Sequence, residues 1–141
     1  MSIVNYLGCN FTLPLSPDDG DDKILIGDCF SDEENREIVK KHFTTKYVYE
    51  VFTTDFVGIW FNKHYKKDYP KSNTESQMSF LALCKLLDSY LKEGDYCELY
   101  VCWVGDEDEE RNLEFDQVID LNNFDINKIQ LYEKTLLTIK K

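Results

Sequence analysis

The sequence predicts an α+β fold: a mostly antiparallel sheet of about five to seven strands with two main helices, in a single domain spanning 1–141. Three observations lead there. Tyr96–Trp103 alternates, so that Cys97, Leu99, Val101 and Trp103 face one way and Tyr96, Glu98, Tyr100 and Cys102 the other. The segment from Asn73 or Thr74 to about Glu93 instead repeats its apolar residues at helical spacing. The other strand-like runs are joined by short connections, which suit antiparallel neighbours with helices on one face.

Each element has a local reason. Ser2–Thr12 is apolar-rich and reads as a first strand. Leu13-Pro14-Leu15-Ser16-Pro17 forces an extended path, because each proline fixes φ and restricts its predecessor. Asp18–Asp22 is a solvated turn and Lys23–Phe30 a short buried strand. Ser31 opens a helix: Ser31 and Glu34 have capping-box spacing, and Asp32, Glu33 and Glu34 put negative charge at the positive end of its dipole. Lys40, Lys41 and His42 fall in its last turn, and Ile38, Val39, His42 and Phe43 form one packing stripe.

Lys46–Thr53 and Asp55–Lys63 are rich in β-branched and aromatic residues and read as a hairpin. In its second arm Phe56, Gly58 and Trp60 oppose Val57, Ile59 and Phe61, so a central strand with two apolar faces is expected. His64–Ser72 is a basic loop containing tyrosines. The second helix then starts with the capping-box pair Thr74 and Gln77 and stops at Gly94. Phe80, Leu83, Cys84, Leu87 and Leu91 form its core side, widened by Leu81, Leu86 and Tyr90; Met78 is also read as core. After the strand Asp95–Val104 comes an acidic loop, Gly105–Asn112. Strands are expected at Leu113–Leu121 and Leu131–Lys140, with a short turn at Asp125–Gln130.

Charge and motif content narrow the function. Acids outnumber bases 27 to 16, for a net charge of −11. A nucleic-acid ligand is not expected, since binding phosphates needs a basic footprint, and an anionic membrane surface repels such a chain too. Met1–Tyr6 has no basic, then apolar, leader pattern, and the longest strongly apolar stretch, Phe80–Cys84, is far short of a membrane span. Five cysteines at irregular spacing read as reduced thiols, which points to the cytoplasm.

The six glycines are scattered, with no phosphate-cradling loop, and no serine sits in a nucleophile elbow. Cys29 or Cys9 paired with His42 or His64 would be the thiol–imidazole option. At the start of the first helix Cys29 is the better placed, but Asp28, Asp32, Glu33 and Glu34 would raise its pKa, and it reads as a buried strand residue. Cys97 and Cys102 are five apart on a strand and face opposite ways, so they do not chelate one ion. Asp18–Asp22 lacks the alternating ligands and closing glutamate of a calcium loop. No catalytic residue, cofactor or metal is therefore assigned.

Two features call for a role. Asp106, Glu107, Asp108, Glu109 and Glu110 are five consecutive carboxylates between two expected strands, suited to steering a basic partner. Aromatics are 14% of the chain, and Tyr96 and Tyr100 fall on the strand face away from the expected core, where interface anchors would sit.

The strand YCELYVCW (Tyr96–Trp103) leading into the acidic loop, then Val118–Phe124 and Tyr132–Leu137, resembles small bacterial immunity proteins of polymorphic or contact-dependent toxin systems. The resemblance covers the C-terminal third. It implies a cytoplasmic, non-enzymatic binder that neutralises a toxin domain by direct contact, and the acidic charge makes a basic domain the expected partner. An adaptor or regulatory subunit of a cytoplasmic complex has the same physics, and a small cysteine-dependent enzyme is the alternative from another class.

Overall fold

The computed structural model describes residues 3–17, 22–27, 33–55 and 57–141. Its strands are β1 Ile3–Cys9, β2 Ile24–Gly27, β3 Tyr47–Thr53, β4 Tyr96–Trp103, β5 Gln117–Asp120 and β6 Thr135–Lys140. Its helices are α1 Glu33–Val39, α2 Lys63–Asp68 and α3 Pro70–Tyr90, with single 3-10 turns at Lys40–His42, Leu113–Phe115 and Ile126–Lys128. The strands form one sheet in the order β2-β3-β1-β4-β6-β5. All neighbours are antiparallel except β5 and β6, which run parallel. This is the α+β architecture that the strand alternation and helical spacing predict.

Burial explains the layering. On one face Leu7, Cys9, Val51, Leu99, Val101, Leu137 and Ile139 pack against Phe80, Leu83, Cys84 and Leu87 of α3. Each such large side chain contributes roughly 1.5–3 kcal/mol through burial. The opposite face carries Val4, Tyr6, Val48, Tyr100, Cys102 and Leu136, covered by Val39 and, in part, Phe43. Helices thus lie on both faces, not on one. β1 and β4 are apolar on both sides, so the second face also needs a cover. The crossing is close at Gly8, where a β-carbon would stand 2.1 Å from Thr45 Oγ1 and 2.5 Å from the Phe43 ring.

Several local expectations give way. Asp55–Lys63 forms no strand among the described residues. Its backbone groups find partners elsewhere: Ile59 pairs with the Asn5 side chain, the Phe61 carbonyl accepts from the Leu131 N–H, and the Asn62 N–H donates to Asn73 Oδ1. Gly58, with φ of 81°, turns the chain into this path.

The basic segment after it is helical, not a loop. Asn62 caps α2 by accepting from the Tyr65 N–H at 2.8 Å. Pro70 then opens α3 three residues before Asn73, in the first-turn position where its missing N–H costs nothing. Asn73 is buried instead, accepting from the Asn62 N–H. The helix ends at Tyr90, before Glu93.

Met78 is 54% exposed, Leu81 44% and Tyr90 38%, so none of the three belongs to the core; Phe80, Leu83, Cys84, Leu87 and Leu91 are the buried side. Leu113–Phe115 is a 3-10 turn with Leu113 exposed, so the strand expected from Leu113 to Leu121 shrinks to β5. The last strand likewise begins only at Thr135, after Lys134 with φ of 59°. Ser31 and Asp32, expected to open the first helix, Asp18–Asp21, expected as a turn, and Asp28, Cys29 and Phe56 lie outside the described residues.

Candidate functional site

A half-open groove of about 660 Å³ lies where the ends of β1 and β4 meet α2. Ile3 and Trp103 come from those strand ends, Trp60 from the irregular segment, Tyr132 from the chain before β6. α2 supplies His64, Tyr65 and Asp68, with Tyr69 at its C-cap, because these positions share one helical face. Successive rings touch: Tyr69 to Tyr65 at 5.3 Å between centroids, Tyr65 to Trp60 at 4.6 Å, Trp60 to Trp103 at 5.4 Å. On the far side Tyr132 bridges His64 at 6.2 Å and Phe115 at 4.7 Å.

The site is held rigidly from below. Asn62 sits at the junction of α2, Asn73 and Leu131, and Ser76 Oγ donates to the Gly58 carbonyl at 2.9 Å. Above this base the surface is open: Tyr69 is 60% exposed, and His64 and Asp68 are exposed too. The lining offers aromatic ring faces, one carboxylate and one imidazole, chemistry suited to holding a partner group by stacking and charge. The sequence signal for this face is the spacing of His64 and Tyr65 one turn before Asp68 and Tyr69, which the loop-like basic composition of the segment masks.

The acidic loop is not the free bristle its composition implies. Glu107 is 2% exposed: both its carboxylate oxygens accept from the Gly105 N–H, at 3.0 and 3.1 Å. Its carbonyl accepts from His42 Nε2 at 2.9 Å. Asp108 pairs with Lys41 at 2.8 Å, and that ammonium holds its carboxyl below the usual carboxylate range. Glu109 lies 4.0 Å from the Lys134 amine. Arg111 donates to the His42 carbonyl at 2.7 Å and pairs with Asp116 at 3.2 Å. Asp106 is half-buried, while Glu110 is exposed. Glu107 thus serves as an internal brace, its carboxylate turned onto the loop backbone and out of direct reach of a partner.

Tyr100 is also misplaced as an anchor. It is fully buried, stacked on His42 at 4.5 Å with Phe43 edge-on at 6.3 Å. Burial pushes its phenol pKa up, and the hydroxyl has no hydrogen-bond partner among the described residues. The helical cover on this face is what removes it from solvent. Tyr96 is half-buried, hydrogen-bonded to Thr44 Oγ1 at 2.9 Å, and lines a second, polar groove with Glu98, Arg111 and Lys140. Neither tyrosine borders the aromatic groove.

Cys9, Cys84, Cys97 and Cys102 are buried. Cys9 and Cys97 face each other across β1 and β4 with sulfurs 3.3 Å apart. Burial pushes the Cys84 thiol up to about 12, and raises Cys102 as well; for Cys97 the hydrogen bond with Cys9 is the larger cause. Thiols so held are poor nucleophiles. Cys97 packs under α3 and Cys102 on the other face. Among the described residues no cluster of three His, Cys, Asp or Glu could hold a metal ion, and no helix is long and apolar enough to cross a membrane.

Comparison with protein-family models, with curated proteins and with solved structures returns no match.

Proposed function

We propose that this protein is a non-enzymatic binding module, an immunity-type inhibitor that neutralises a bacterial toxin domain in the cytoplasm by docking onto it. The observation that carries the reading is the aromatic groove, with both tryptophans of the chain and three tyrosines lining one open surface. Tryptophan and tyrosine dominate the energetics of protein interfaces because they bury large, stiff surfaces at low entropic cost. A groove already braced by Asn62 and Ser76 loses little freedom on binding. The net charge of −11 favours a basic partner and speeds its approach.

The test is binding of the purified protein to the product of the gene adjacent to its own, by calorimetry, with any toxin activity of that product titrated alongside. The expected result is a stoichiometric complex that abolishes the activity and weakens at least tenfold in Tyr69→Ala. A partner bound equally well by wild type and Tyr69→Ala would remove the groove from the interface. Absence of any complex with that product would count against the immunity reading.

A further inference from the structure

α2 sorts its charges. His64, Tyr65, Asp68 and Tyr69 line the aromatic groove, whereas Lys63 and Lys66 line a separate small cavity with Asn73 and Gln77. No lysine or arginine is among the described lining residues of the groove, and Asp68 is its one carboxylate. Asp68 is exposed and makes no ion pair among the described residues. Beside it runs the ring ladder Tyr69–Tyr65–Trp60–Trp103, each step 4.6–5.4 Å. Aromatic faces carry negative quadrupole potential, and a cation within about 6 Å of them is attracted. A planar guanidinium both stacks on such rings and grips a carboxylate through its fork of donors, which a compact ammonium cannot do.

Resting on the binding-module reading above, we propose that the groove receives an arginine side chain of the protein partner, stacked on the rings and paired with Asp68. Charge complementarity at the groove itself selects this occupant: Asp68 is its one carboxylate, and the lysines of α2, Lys63, Lys66 and Lys67, lie outside its described lining.

Both tryptophans line the groove, so intrinsic fluorescence reads it directly. The probes are acetyl-Gly-Arg-Gly-amide and the same peptide with citrulline, a neutral near-isostere, in place of arginine. At low salt the arginine peptide should give a saturable change, at least tenfold weaker with citrulline and at least tenfold weaker in Asp68→Asn. Equal responses to the two peptides would give the groove to a neutral segment and overturn the proposal. A tryptophan signal that shifts with protein concentration alone would mark a second copy as occupant, with the same consequence.

A second arm separates this proposal from the reading beneath it. If the cognate toxin domain binds wild type and Asp68→Asn with the same affinity, arginine recognition is wrong while the binding module stands. If no toxin domain binds but the arginine peptide saturates the groove through Asp68, arginine recognition stands and the immunity reading does not. Asp68 is exposed, so an unchanged melting temperature in Asp68→Asn shows that neither result comes from unfolding.

Discussion

The carboxamide of Asn5 holds both main-chain groups of Ile59: Nδ2 donates to the Ile59 carbonyl at 2.9 Å, and the Ile59 N–H donates to Oδ1 at 2.9 Å. Asn5 is 1% exposed and Ile59 fully buried, so water cannot replace either bond. One side chain on β1 thereby does the work of a neighbouring strand, and Trp60 enters the groove from the next position. Asn5→Ala strands a buried donor and acceptor, each worth about 1–3 kcal/mol when left unsatisfied. The expected loss is therefore about 2–6 kcal/mol in urea unfolding, with a shifted native tryptophan spectrum. A loss under about 0.5 kcal/mol would show that the segment has another support.

Gly8 lets the Phe43–Thr45 segment cross β1 at close range. A methyl group there collides with both side chains, and overpacking of this kind costs about 1–3 kcal/mol. Gly8→Ala should lower stability by that amount in thermal or chemical unfolding. Gly94→Ala is the useful comparison: its β-carbon would meet nothing within 4 Å, so whatever it costs comes from the φ of 88° alone. The two variants should differ in whether the Phe43–Tyr100 contact shifts, read by side-chain NMR.

His42 sets a pH dependence. Burial is the main cause that lowers its pKa, aided by Lys41 and Arg111 and opposed by the Glu107 carbonyl and Asp108. Tyr100 stacks on the ring from the sheet side. The folded value lies below the ordinary 6.5, so below that pH the unfolded chain binds more protons. This contribution is fully present above about pH 6.5 and is lost as the pH falls from there through the folded value. Unfolding free energy should drop more steeply between pH 7.5 and 5.5 in wild type than in His42→Gln. Parallel slopes would remove His42 as the cause.

The acidic loop should divide into structural and kinetic residues. Glu107→Ala removes a charged brace on the Gly105 N–H and should cost about 1.5–3 kcal/mol of stability. Glu110→Lys, at an exposed position, should leave the melting temperature unchanged yet slow association with a basic partner at low salt, an effect that fades as salt rises. Stopped-flow association rates at two ionic strengths, beside melting curves, check both halves.

The sequence by itself determined the parts whose side-chain pattern repeats. The two-sided alternation of β4, the apolar line Phe80–Leu83–Leu87 of α3 and the opposed directions of Cys97 and Cys102 follow from the periods of strand and helix, and they set the fold class. Periodicity reports which side chains need burial; it does not say which group completes a backbone hydrogen bond or what covers a second apolar face. Those were decided only in three dimensions. Asn5, Leu131 and Asn73 satisfy backbone groups of Ile59, Phe61 and Asn62 in turn, and so a run with strand composition stays irregular and delivers Trp60 to the groove. The cover over the far sheet face buries Tyr100, and Glu107 turns inward to a glycine N–H two residues away. The candidate site lay hidden in a segment of basic loop composition because its aromatic face exists only once Asn62 caps α2 and the ends of β1 and β4 meet it.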